Sequence, residues 1–111
     1  MVKAFDPARL LFDAEVETLG NGLRVAVHRD FRTPLVGVQV AYPAGSRAEP
    51  PGKHGLAHLF EHLMFSGSEH SPDNYFVALE QAGALAINAN ADDDCASYFE
   101  MVPANALDYT L

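Results

Sequence analysis

Cysteine is nearly absent from this chain. Cys95 stands alone, which excludes an internal disulfide framework, so nothing in the sequence demands an oxidising compartment. Lysine and arginine are also scarce: seven basic residues face fifteen acidic ones, the net charge is −8, and the basic residues are scattered singly. A surface for nucleic acid or for an anionic membrane needs clustered Lys and Arg, so both partner classes are excluded. No apolar run approaches the roughly 18 residues of a membrane helix, and Met1 to Leu11 carries Lys3, Asp6 and Arg9 where a signal peptide would have an apolar core. The sequence thus predicts a soluble chain with no signal peptide or transmembrane segment, and leaves cytoplasm and periplasm both open. Internal repeats and low-complexity tracts are absent as well.

What is present is a chain of 111 residues, 49% of them apolar, enough for one small domain with a modest core. Val16 and Thr18 alternate with Glu15 and Glu17, Gly20-Asn21-Gly22 turns the chain, and Leu23, Val25 and Val27 alternate with Arg24, Ala26 and His28. Residues 15–29 therefore read as a β-hairpin. Leu35 to Ala41 is more continuously apolar and suggests a more central strand of the same sheet, where Gly37 leaves room for a close neighbour. Tyr42 to Lys53, with three prolines and two glycines, is a loop into a helix that begins near Gly55 and stops at Ser66-Gly67-Ser68, where Gly67 suits a left-handed cap. Ser71-Pro72-Asp73 opens a second helix, with Ser71 as N-cap and Tyr75, Phe76, Leu79 and Ala82 as its core stripe until Gly83. Leu85 to Ala91 and Ala96 to Val102 read as two strands around the turn at Asp92-Asp93-Asp94. A helix starting at Pro103-Ala104-Asn105 meets Leu111 after about two turns, so residues 1–111 read as a fragment of something longer. The fold class expected is α+β, a mostly antiparallel sheet with helices packed on one face.

The chemistry concentrates in His58-Leu59-Phe60-Glu61-His62. On a helix His58, Glu61 and His62 share an arc of about 100°, while Leu56, Leu59, Phe60, Leu63 and Met64 lie opposite and are expected to face the core. Histidines at i and i+4 can hold one Zn²⁺ from a single turn. A carboxylate beside them can take a proton from a water acidified by the metal and pass it to a leaving amine. Five His and seven Glu in this composition give about 0.01 chance matches to H-x-x-E-H, so the flanking sequence decides the matter.

Those flanks resemble the pitrilysin or insulinase family of zinc metallopeptidases, whose inverted motif is H-x-x-E-H. Asn21-Gly22-Leu23-Arg24-Val25 is similar to the family's first hairpin and Gly45-Ser46-Arg47-Ala48-Glu49-Pro50 to its approach loop. Gly55-Leu56-Ala57 and Leu63-Met64-Phe65 flank the motif as the family's residues do. Leu79 to Ala84, Asn88, Asp94 and Tyr98-Phe99 follow in register, so the resemblance runs from about Val16 to Leu111. It implies that His58 and His62 are zinc ligands and that Glu61 is the general base. It also implies that the strand containing Asn88, Ala89, Asn90 and Ala91 binds the substrate, pairing with an extended peptide or an unfolded segment.

Two positions depart from the family pattern. Ala91 and Ala96 stand where the family has Thr, which removes two hydroxyls around the substrate strand. The family's third ligand is a Glu on a helix farther from the motif than this chain extends, so the third ligand is expected beyond Leu111. Glu69, Glu80, Asp92 to Asp94, Glu100 and Asp108 match other positions or none. The resemblance further implies a second homologous domain or subunit that closes over the peptide. The function expected is zinc-dependent endopeptidase hydrolysis, with the isolated stretch inactive for lack of that ligand. A reading from a different class is a noncatalytic fragment or subunit serving assembly or peptide binding.

The remaining candidates read as structural. His54 precedes the helix and reads as a loop histidine, while His28 and His70 read as exposed strand and loop residues. Asp92 to Asp94 lack the glycine and distal Glu of a calcium loop and read as a solvated turn. Cys95 has no neighbouring His and reads as a packed or idle thiol.

Overall fold

The computed structural model describes residues 14–70 and 74–111. The chain divides into two compact units at the Thr33 to Pro34 boundary. In the first unit, β1 (Glu15–Thr18) pairs antiparallel with β2 (Arg24–Val27), from Glu15 opposite Val27 to Thr18 opposite Arg24. The turn closes with Gly22 N–H donating to Leu19 O (2.9 Å) and Leu19 N–H to Leu23 O (2.8 Å). Gly22 lies at φ 87°, where a Cβ is strained, so the Asn21-Gly22 signal is realised as the sequence reading expects.

The second unit holds a three-stranded antiparallel sheet in the order β3-β5-β4, made of β3 (Leu35–Tyr42), β4 (Ala86–Ala91) and β5 (Ala96–Pro103). Three expectations are corrected here. The first hairpin forms its own two-stranded sheet, and β3 pairs instead with β5 over eight positions, Leu35 opposite Pro103 through Tyr42 opposite Ala96. The central strand is β5, flanked on both sides, whereas β3 is an edge strand of this sheet. Its continuous apolar run reflects β-propensity rather than burial on both faces. Gly37 meets open space rather than a close neighbour.

Alternation along β5 sets the layers. Ala96, Glu100 and Val102 are buried and Tyr98 is half-buried, while Phe99 and Met101 on the opposite face are exposed. The helices lie over the first of these faces. Helix α1 (Leu56–Leu63) is followed by Phe65, whose ring lies 5.7 Å from Tyr98 and stacks at 4.3 Å on Phe76 of α2 (Tyr75–Gln81). Val102 (0% exposed) and Leu79 of α2 (2%) form the closed centre of this core. A short 3₁₀ turn, Ala104–Ala106, leads to α3 (Leu107–Thr110).

Helix ends follow local chemistry. Asn74 caps α2, its Oδ1 accepting Phe76 N–H at 2.9 Å. The cap expected at Ser71, with Pro72 and Asp73, lies outside the described residues. At the other end Gly83 takes φ 90°, with Gly83 N–H on Glu80 O and Ala84 N–H on Leu79 O, a Schellman closure. Gly67 is likewise left-handed, at φ 88°. The apolar face of α1 differs from expectation: only Leu56 is half-buried, and Leu59, Phe60 (61% exposed), Leu63 and Met64 stand open. The helix contacts β4 and the 3₁₀ turn Ser46–Ala48, and those two elements reach too little of its apolar stripe to cover it.

The loop before α1 is tightly seated. Ser46 N–H donates to Asp92 O and Arg47 N–H to Asp93 O, at 3.1 and 2.9 Å. Gly45 is buried against this turn, and a Cβ there would overlap Asp92 O and come within 2.6 and 2.7 Å of the Asp93 carbonyl group. Gly45→Ala is therefore expected to cost about 1–3 kcal/mol through overpacking, read as a lowered midpoint in urea, whereas Gly37→Ala at an open position leaves the midpoint nearly unchanged.

Glu100 generates a second prediction. Burial raises its carboxyl above the usual 4.5, and the Tyr75 hydroxyl, which donates to it, acts in the opposite direction. Burial first and then the Glu100 charge push Tyr75 itself up to about 12. The folded state therefore binds this proton more tightly than the unfolded state, and stability falls as pH rises from near 4.5 through the raised value. Glu100→Gln abolishes that component. The difference in urea midpoint between the variant and the parent chain should grow in the variant's favour between pH 4 and pH 7, and a difference independent of pH would contradict the assignment.

Candidate metal site and peptide edge

Helix α1 starts without a side-chain cap from its own first residue. Gly55 sits at φ 94°, and the N–H groups of Gly55 and Ala57 instead donate to the two carboxylate oxygens of Glu49, both at 2.8 Å. These bonds, with Ala57 contributing most, hold the Glu49 carboxyl below its usual range. From that start, one turn of helix brings His58 and His62 onto one side. Their Nε2 atoms stand 2.9 Å apart and their ring centroids 4.7 Å, with the planes tilted by 50°. In a contact of this kind one ring nitrogen donates and the other accepts, the roles following the tautomers.

That convergence is a direct test of fit to a metal. Two nitrogens bound at 2.0–2.1 Å to one tetrahedral zinc are roughly 3.3 Å apart, so the rings need to open by only a few tenths of an ångström to admit the ion. Both histidines are exposed and Glu61 beside them is half-buried. Glu61 lies near the Tyr98 hydroxyl, which is raised first by burial and then by the Glu61 charge. No cluster of three or more His, Cys, Asp or Glu side chains placed to hold a metal occurs among the described residues. His54 is 3.8 Å from the Glu49 carboxylate, away from the imidazole pair.

Strand β4, the one α1 contacts, is the other edge of the sheet. Asp92 N–H donates to Cys95 O at 2.8 Å, and strict alternation from that bond turns the backbone groups of Asn88 and Asn90 towards β5 and those of Ile87, Ala89 and Ala91 outward. The side chain of Asn88 confirms the parity by accepting the outward Ala89 N–H at 2.9 Å. Of the four residues expected to meet substrate, Ala89 and Ala91 thus turn their backbone groups to the open edge, where Asn88 Oδ1 takes up the Ala89 N–H. Asn88 and Asn90 carry side chains on the opposite face, where Asn90 Nδ2 donates to Asp92 Oδ2 at 2.7 Å. Ala91 and Ala96 are cross-strand partners, so both departures from Thr fall on one pair.

An apolar cavity of about 400 Å³ opens beside the motif, lined among others by Tyr42, Leu56, Phe60, Met64 and Tyr98. Sequence reading missed Glu49, whose carboxylate reaches the helix start from six and eight residues upstream, outside the one- to three-residue spacing of capping patterns. Asp92 to Asp94 form an exposed turn, as the sequence predicts, and within it Asp93 accepts Ser46 Oγ–H at 2.8 Å and Asp94 pairs with Arg47 at 2.9 Å. No helix among the described residues is long and apolar enough to cross a membrane.

Known proteins resemble this chain in sequence and in fold. The chain is 35% identical over 98 residues to the zinc protease PqqE of Helicobacter pylori, covering 87% of this chain and 22% of that protein. It is 38% identical over 76 residues to the alpha subunit of the mitochondrial-processing peptidase of Bos taurus, covering 67% of this chain and 14% of that one. The crystal structure of pitrilysin superposes with a TM-score of 0.78 at 26% identity, over 88% of this chain and 11% of that chain. The chain thus spans about a fifth or less of the length of these relatives. Residues 24–111 match the family described as Insulinase (Peptidase family M16), and the chain belongs to that family of zinc proteases.

Proposed function

We propose that this chain carries the metal-binding and water-activating part of a zinc endopeptidase domain. The observation that carries the reading is the convergence of the two Nε2 atoms at 2.9 Å with Glu61 on the same arc of α1. His58 and His62 would hold a zinc ion, with a third, acidic ligand expected beyond Leu111. When bound there, the ion would supply a Lewis acid that acidifies a water and polarises a carbonyl. Glu61 takes the proton from the attacking water and delivers it to the leaving amine. An extended peptide, from an oligopeptide or an unfolded segment, pairs with the outward backbone groups of Ala89 and Ala91 as an added strand. Asn88 and Asn90 flank that pairing and hold the strand in register. Residues 1–111 then form the amino-terminal portion of one peptidase domain, which a second homologous domain or subunit closes. The occurrence of paired alpha and beta subunits among relatives supports such a partner.

In the full-length parent, Glu61→Gln is expected to keep bound zinc and lower kcat by about a hundred- to ten-thousand-fold, measured by metal analysis and hydrolysis of a quenched peptide. Loss of the metal on that change would refute the base assignment. For the 111-residue chain by itself, weak zinc binding that His58→Ala removes and no chelator-sensitive hydrolysis are expected. Hydrolysis by that chain would sink the need for a third ligand from outside it.

A further inference from the structure

Glu49 is built into the start of the motif helix. Its side chain is only 6% exposed, although it lies in a loop rich in proline and glycine. One oxygen accepts Gly55 N–H and the other Ala57 N–H, each at 2.8 Å. These are among the donors that a helix leaves orphaned at its first turn, and a negative charge there also opposes the positive end of the helix dipole. Ala57 immediately precedes His58, so the anchored amide is one residue from the first imidazole. A helix of eight residues has few other constraints on its direction.

The same loop is fixed at its other end. Ser46 and Arg47 bond through backbone N–H groups to Asp92 O and Asp93 O, and through side chains to Asp93 and Asp94. That turn closes β4, whose last residue, Ala91, carries an outward edge group. Residues 45 to 49 therefore bridge the end of the peptide edge and the start of the imidazole helix. Gly45 leaves this bridge no slack, since the Asp92 and Asp93 backbone fills the space a side chain would need.

We propose that Glu49 is a positioning residue: by clamping the Gly55 and Ala57 amides it sets the direction of α1, so that His58, Glu61 and His62 face the Ala89 to Ala91 edge. It touches neither metal nor substrate. The inference rests on the zinc reading for its consequence and on the clamp itself for its structure.

The test compares the 111-residue chain with Glu49→Ala, Glu49→Gln and, as a control weakened elsewhere in the core, Val102→Ala. Amide hydrogen exchange at Gly55 and Ala57, ring nitrogen shifts of His58 and His62 without metal, and zinc affinity by chelator competition are read at a temperature where each variant is folded. Glu49→Ala should lose protection at both amides, shift both rings, and weaken zinc by about ten- to hundredfold, the range of residues that orient metal ligands. Glu49→Gln, which keeps one acceptor oxygen, should fall between; it also decides the matter if Glu49→Ala does not fold. Val102→Ala should lower the melting temperature while leaving zinc affinity and ring shifts unchanged. Unchanged ring shifts in the Glu49 variants, or an equal loss of zinc affinity in Val102→Ala, would overturn the proposal. Failure of the parent chain to bind zinc would overturn the zinc reading alone, and the exchange and ring-shift results would still decide the role of Glu49.

Discussion

Strand β5 is the constraint from which the larger unit follows. It is paired on both sides, to β3 over eight positions and to β4 over six, so its register cannot slip by one without moving Ala96, Glu100 and Val102 out of the core and Phe99 and Met101 into it. The face it buries is the face that receives the helices, through Tyr75 on Glu100 and Phe65 on Tyr98. The parity it imposes on β4 decides which backbone groups point outward. The core and the open edge of β4 are therefore two consequences of one ladder.

Helix α1 is placed by different means. Its apolar stripe is largely open, so burial does little to orient it. Polar bonds at its start compensate: a carboxylate on two amides, a left-handed glycine, and a loop pinned to the turn that closes β4. Such bonds are directional where hydrophobic contact is not. A site whose ligands must converge within a few tenths of an ångström is well served by that arrangement. The same logic accounts for Asp92 to Asp94, three acidic residues in a row whose repulsion is offset by Arg47 and Ser46.

Much of this was legible beforehand. The Asn21-Gly22 hairpin, both later strands, the helix at Leu56, the left-handed Gly67, the helix stop at Gly83 and the shared arc of His58, Glu61 and His62 all follow from short-range rules, periodicity and turn chemistry, which act within a few residues. The separate first hairpin did not follow, nor did the edge position of β3, because an apolar run such as Leu35 to Ala41 states that a strand forms and not which strand it meets. The open face of α1 was likewise hidden. Periodicity identifies the side a helix would bury, and only the neighbours present determine whether it is buried.

By itself the sequence determined the elements, the motif and the family, since these depend on residue type at short fixed spacing. Tertiary structure alone decided that β5 is central, that Ala89 and Ala91 rather than Asn88 and Asn90 turn their backbone outward, and that Glu49 reaches the start of α1. Each of these joins residues by the path of the folded chain. A carboxylate becomes a cap for a distant amide only once the loop between them has closed.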